Sequence, residues 1–333
     1  MLITVLFAVW LGMPLPVNAS TPCGNITIAD TQSPSSTLLA YVDQFILTHA
    51  YGCRVSLIKG NNQSVIARMI QTGQPDIAPE IWLHPVKEAM EKAQKEQRLF
   101  PVGESIANGG EEGFWIPSYL VKDNSSLATL EGVKTHAALF SNPATPSRSL
   151  LYGCRSGSEC NDTVDRLYKT LKLQAAGFDL FNSTTPESFD QSIEQAYSRK
   201  LPWIGYYHSP STIMARFSMI KVDLGTSLVS EKTIDGCINN SQCPDREKSL
   251  YSISKIQTII SQDFAYRAVP AHNYLRHRQL NHQQLNSMLV WIHEKQAAPD
   301  EAARYFLMEH EKVWRPWLSF YAIGKVRRAL NPR

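Results

Sequence analysis

The chain has 333 residues, 43% of them hydrophobic, and a formal charge of only +3. That length accommodates two domains. The balanced, unclustered charge argues against a nucleic-acid partner, whose binders carry a basic footprint on one face, and no segment after residue 17 is long and apolar enough to span a bilayer.

In chain order, residues 1–17 are apolar with Trp10 and two prolines, and Val17-Asn18-Ala19 supplies the small-residue pattern of a cleavage site before Ser20. Residues 1–19 are expected to be a signal peptide. Ser20-Thr21-Pro22 ahead of Cys23 does not read as a lipoprotein box. The mature protein is therefore expected to be periplasmic and soluble, without a lipid anchor. A strand is predicted over 26–29. A helix follows over 35–51, where Leu38, Leu39, Val42, Phe45, Ile46 and Ala50 recur at helical spacing. Ser35 or Ser36 is placed to cap it. A strand over 55–58, a helix over 64–72 and a strand over 76–82 continue the pattern. This βαβα order predicts a parallel sheet with helices on its faces and a ligand at the carboxyl ends of its strands.

The second set comprises a helix start at 127–132, a buried strand over 137–140, helices over 162–171 and 188–198, and an aromatic strand over 201–207 that runs into His208-Ser209-Pro210. A strand over 219–224 returns the chain, and helices over 257–266, 282–295 and 299–310 complete it. The pattern reads as two α/β lobes. The first is built from both ends of the chain, 20–118 plus 216–333, and the second from 119–215. Hinge crossings are expected near 115–121 and 215–224.

The six cysteines fall into suggestive positions. Cys154 with Cys160, and Cys237 with Cys243, each enclose five residues, while Cys23 and Cys53 each stand at the entrance of a β-like run. An even set with matched short loops fits disulfides and an oxidising compartment. Zinc is disfavoured because no Cys-x-x-Cys occurs and the spacing suits neither ribbon nor finger. The pairing itself stays open at this level.

No Gly-x-Ser-x-Gly elbow, phosphate loop or dinucleotide fingerprint is present. The histidines are scattered without metal-ligand spacing, so neither cofactor nor metal is expected, nor an enzyme. His208 stands out, at a strand-to-turn junction. The aromatic residues carry a stronger signal: Trp82, just after Glu80-Ile81; Trp115 and Tyr119; Tyr206 and Tyr207. Converging aromatic faces hold a cation that makes no hydrogen bonds, each face contributing about 0.5–2 kcal/mol once dry. A micromolar ligand needs about 8 kcal/mol, so backbone donors or a carboxylate must help. Trp203, Trp291, Trp314 and Trp317 read as core.

Over nearly the whole mature chain the sequence resembles the substrate-binding proteins of glycine betaine/proline betaine-type ABC importers, the OpuAC-like family. The likeness rests on Asp76-Ile77-Ala78-Pro79-Glu80-Ile81-Trp82, on Gly113-Phe114-Trp115-Ile116-Pro117-Ser118-Tyr119 and on the Gly-Cys loop at 153–160. It rests also on Pro202-Trp203-Ile204-Gly205-Tyr206-Tyr207-His208-Ser209-Pro210, and on Leu289-Val290-Trp291-Ile292 followed by Asp300-Glu301-Ala302-Ala303. The resemblance implies a two-lobed, type II-like periplasmic-binding fold. Each lobe would be a mostly parallel sheet flanked by helices, with a ligand cleft between the lobes that closes over a small solute and presents it to a membrane permease. It implies Trp82 as one wall of an aromatic cage, and a Cys154–Cys160 bridge whose loop offers amides to the solute's carboxylate.

The chain departs from the family pattern at Ser158, where a cage tryptophan is usual, at Glu159 beside it, and at His208, where tryptophan is common. The expected ligand-binding set is Trp82, Trp115, Tyr119, Ser158, Glu159, Tyr206, Tyr207 and His208. The expected solute is a compact amine or amino-acid-like molecule, with betaine and choline leading, taken up by a monomer serving an ABC importer. The alternatives are a receptor that touches a membrane-bound sensor, and an exported enzyme using His208 with Glu159 or Glu80.

Overall fold

The chain enters its first sheet through β1 (Asn25–Asp30) and leaves it on the helix Pro34–Tyr51. The computed structural model describes residues 23–154, 160–183, 185–225 and 253–331. Residues 1–19, expected to be a signal peptide, and Ser158, Glu159, Cys237 and Cys243 lie outside them. The cap of this helix is Ser33, whose side chain accepts from the Ser36 amide, with Pro34 at the first helical position. Ser35 and Ser36, expected as caps, instead face inward: Ser36 Oγ accepts from Thr31 N, and Ser35 Oγ donates to Glu80. Gly52, in the left-handed region at φ 71°, ends the helix by returning its amide to Leu47 and Thr48 carbonyls.

The first sheet continues with β2 (Arg54–Lys59), the helix Asn62–Thr72, β3 (Ile77–Trp82), the helix Lys87–Lys95 and β4 (Leu99–Glu104). The chain then crosses to a second sheet that contains β5 (Gly110–Pro117), β6 (Ser141–Asn142), β7 (Thr145–Tyr152), β8 (Phe178–Phe181), β9 (Gly205–Ser209), β10 (Met219–Lys221) and β11 (Ile253–Ser254). It returns in β12 (Ile256–Ser261), and the C-terminal helices cover the first sheet. The strand orders are β2-β1-β3-β12-β4 and β10-β5-β9-β7-β6, with β11 on β5 and β8 on β7.

Two α/β lobes are therefore present, but their sheets are mixed. In the first, β1 pairs in parallel with β2 and β3, while β12 runs antiparallel to β3 and β4. In the second, only β7–β8 and β7–β9 are parallel. The reason is topological: strands that return from the other lobe enter the sheet from its opposite end. The lobe changes also fall elsewhere than expected. β5 and β10 pair with each other inside the second sheet, so a division at 118/119 and 215/216 would cut through it. The chain passes between the sheets at 105–109 and at Lys255.

Two further local readings are corrected. Residues Ala137–Phe140 form a short 3-10 helix in which Phe140 is buried and Leu139 is 43% exposed, too little inward surface for a strand. The helix expected over 257–266 is the strand β12 followed by the helix Gln262–Arg267, with Ser261 as its cap. The β-branched run Ile256, Thr258, Ile259, Ile260 is completely enclosed between β3 and β4, and that burial decides its form.

The two lobes have separate cores on both faces of their sheets. Cys23 and Cys53 are bridged with Cα atoms 5.2 Å apart, tying the starts of β1 and β2. Cys154 and Cys160 are bridged at 6.1 Å. At the centre of the first lobe Arg278 is 1% exposed and Asp43 is 0% exposed. Arg278 Nε lies 3.0 Å from Asp43 Oδ1, and its Nη2 donates to the Pro79 carbonyl at 2.9 Å and to Thr258 Oγ1 at 2.6 Å. Tyr274 donates to Asp43 at 2.5 Å.

Removing one member of such a buried pair strands the other charge. Arg278→Met is expected to cost about 3–5 kcal/mol in urea-unfolding midpoints, while Asp43→Leu/Arg278→Met recovers most of the loss because no lone buried ion remains.

Candidate ligand-binding cleft

The carboxyl edge of the first sheet faces the second lobe. Trp82 is the last residue of β3, opposite Ile256 of β12. Its indole lies against the backbone of Gly110, the first residue of β5, so closely that a Cβ there would strike the six-membered ring. From the second lobe comes His208, on β9 opposite Glu112 of β5. The His208 ring meets the Trp82 ring edge to face, with centroids 5.7 Å apart and planes at 88°. This is an aromatic contact between the two lobes. Burial pushes the His208 imidazole down to about 4, so at neutral pH the ring is uncharged.

The remaining expected residues divide. Tyr207 stacks on His208 (5.0 Å, 6°) and on Phe189 (5.5 Å), and its hydroxyl donates to Asp190 at 2.6 Å. It braces His208 from behind. Tyr206 points to the other face of β9, edge to face with Phe114, and donates to Glu112 at 3.2 Å. Trp115 is packed with Phe189, Ile193, Trp203 and Ile213, and its Nε1 donates to the Tyr207 carbonyl at 3.1 Å. It lies five residues along β5 from Gly110, about 17 Å at strand rise. Tyr119 sits beyond it, donating to the Ala196 and Leu201 carbonyls at 2.9 and 2.5 Å, under the Lys200 ammonium at 4.7 Å. Burial raises its hydroxyl to about 12. The structure thus joins Trp82 and His208, supports them with Tyr207 and Gly110, and places Trp115 and Tyr119 in the packing of the second lobe. Their side-chain polar atoms already have backbone partners, and that turns these rings inward. Trp203, Trp314 and Trp317 are buried as read from sequence, and Trp291 stacks on Tyr305 at 3.8 Å.

A group given only a secondary place in the sequence reading lies next to Trp82. Glu80 is 2% exposed, two residues before Trp82 on β3, where strand alternation puts both side chains on one face. A chain of hydroxyls leads to it: Ser33 Oγ lies 3.2 Å from Ser35 Oγ, and Ser35 Oγ donates to Glu80 Oε1 at 2.8 Å. Burial lifts the Glu80 carboxyl to about 7, against the opposing pull of Ser35, the Trp82 indole and the Arg278 charge. The signal available in the sequence was positional, an acid at a two-residue offset from the tryptophan within an otherwise apolar strand.

The chain as a whole matches known proteins. Residues 24–309 match the family model of the substrate binding domain of ABC-type glycine betaine transport systems. Among solved structures, an ABC-transporter choline binding protein in complex with choline is 13% identical, covering 93% of this chain and 99% of that one, with a TM-score of 0.67. A glycine betaine/L-proline-binding protein of an ABC transporter from Borrelia burgdorferi is 13% identical over 91% of this chain and 99% of its own, again at 0.67. The lactococcal OpuAC in its closed-liganded conformation with glycine betaine is 15% identical over 89% and 100%, at 0.65. What is shared at these identities is the fold. Among the described residues, no helix is long and apolar enough to cross a membrane.

The two shifted groups of the cleft act on stability in opposite directions. Glu80 holds its proton more tightly when folded, so its contribution is full below its ordinary 4.5 and is lost as pH rises through about 7. That of His208 is full above its ordinary 6.5 and is lost as pH falls through about 4. Glu80→Gln removes the first alone. Its stability relative to the parent is expected to improve steadily between pH 4.5 and 7 in urea-unfolding midpoints, whereas a gap that is flat with pH would contradict the assignment.

Proposed function

Since this chain belongs to the substrate-binding domains of ABC-type glycine betaine transport systems, we propose that it captures a small amine or betaine-like solute between its lobes, at Trp82 and His208. The observation that carries this reading is the contact of those two rings, one from each lobe, at the edge of the first sheet. Open α/β sheets take their ligands at that edge. A solute seated there touches both lobes at once, so its binding energy favours the closed form over the open one. The closed form is what a membrane permease would receive.

The energetics set the kind of site. One indole face contributes about 0.5–2 kcal/mol to a cation, against the 8 or so that micromolar affinity requires. His208 is uncharged and does not repel a cation. The remainder falls to hydrogen-bonding groups, of which Ser33, Ser35 and Glu80 form a connected set. We read the protein as a binding protein, not an enzyme, and place it outside the cytoplasm as a soluble monomer released from residues 1–19. Its partner is an ABC permease.

Titration calorimetry with glycine betaine and choline tests the reading. Trp82→Ala is expected to weaken whichever binds by about two- to thirty-fold, the equivalent of one cation–π face, in a protein that still unfolds cooperatively. Undiminished affinity in that variant would place the site elsewhere.

A further inference from the structure

Glu80 has a feature that the betaine reading does not use. Its Oε1 accepts from Ser35, but its Oε2 is buried with no hydrogen-bond partner among the described residues. Buried carboxylate oxygens are ordinarily satisfied, and an orphan calls for a physical explanation. The neighbouring cation does not supply one. Arg278 favours the charged form of Glu80 from a distance, but its bonds go to Pro79 and Thr258 and its ion pair is with Asp43. The Trp82 indole also acts on the carboxyl as a hydrogen-bond donor that favours its charge, yet Oε2 has no donor at bonding geometry among the described residues. The lobe contact above it offers one indole and one imidazole set edge to face, a wall for part of a cation and not a ring of faces around it.

A quaternary ammonium presents only methyl groups. Seated against Trp82, it would leave Oε2 as unsatisfied as before. An ammonium that keeps an N–H has the same charge for the indole and also a proton for the carboxylate, and a charge-assisted bond of this kind is the stronger sort. Sites built to bond a polar hydrogen discriminate sharply against the analogue that lacks it, because the buried partner is then left alone.

We propose that Glu80 is the specificity-determining group of the cleft, and that it selects a solute whose ammonium carries at least one N–H over its quaternary counterpart. This rests on the reading that the solute sits at Trp82 and His208.

The test is a pair of probes that differ by a single N-methyl group, glycine betaine and N,N-dimethylglycine, titrated into the mature chain at neutral pH. The parent protein is expected to bind dimethylglycine about tenfold more tightly or better. Glu80→Gln should bring the ratio towards unity, and Glu80→Asp, which retracts the carboxylate by one methylene, should reduce it. Trp82→Ala should weaken both probes. A ratio of one or below in the parent, or an unchanged ratio in Glu80→Gln, overturns the role of Glu80 while the Trp82 cleft stands. The parent ranking decides the matter even should a Glu80 variant fail to fold. If neither probe binds the parent, or Trp82→Ala changes nothing, the location of the solute falls and this inference with it.

Discussion

A single buried guanidinium organises the edge of the first lobe that meets the second. Arg278 follows the helix Val269–His277 near the far end of the chain, yet it reaches Asp43 in the first helix, the Pro79 carbonyl in β3 and Thr258 in β12. An ion with 1% exposure persists only where its partners are fixed, because each lost contact leaves charge uncompensated in a low-dielectric interior. The consequence is positional. β3 is gripped at Pro79, the residue before Glu80 and three before Trp82, so the edge that carries Trp82 is set from below by a charge that cannot relax.

The passage between the lobes is built as tightly. Gly109 adopts φ 65°, and a Cβ there would run into the Ser254 carbonyl, so the outgoing and returning segments pass in contact. Only glycine meets both conditions. The His282 ring nitrogen Nε2 lies 2.7 Å from the Gly109 carbonyl oxygen and must carry the proton of that bond, which anchors the crossing to the helix His282–Lys295. The helix Thr212–Arg216 of the second lobe packs on the same helix. Hinge movement in two-lobed proteins is absorbed by a few such residues, and here Trp82 and His208 stand on opposite sides of them.

The aromatic residues show how one composition serves two purposes. Rings whose polar atom finds a backbone partner nearby are drawn into packing: Trp115 through the Tyr207 carbonyl, Tyr119 through Ala196 and Leu201. Tyr207 is intermediate, its hydroxyl held by Asp190 and its face spent on Phe189 and His208. Trp82 alone of the expected tryptophans stands at the lobe junction, because β3 ends there and the opposing position on β5 is a glycine. The Ser33 and Ser35 hydroxyls and the Glu80 carboxyl form a connected polar set on the same lobe.

Sequence by itself determined the elements whose signal is local. The helix Pro34–Tyr51, β1, β2, β3 and the helix Pro186–Arg199 follow from spacing and caps within one segment. The motifs around Trp82 and Trp115 were enough to indicate the family, and the even cysteine count indicated bridges. Tertiary structure decided what depends on distant segments. β12 is a strand because β3 and β4 enclose it, and Ala137–Phe140 is not one because nothing covers Leu139. The crossings lie at 105–109 and Lys255 because β5 and β10 pair with each other. Whether an aromatic ring meets the other lobe or fills a core was decided by which backbone carbonyl came within reach, and the setting of the Glu80 carboxyl by a serine 45 positions earlier and the charge of Arg278, 198 positions later. Periodicity records which way a side chain faces along its own element, and it carries no record of what the rest of the chain brings to meet it.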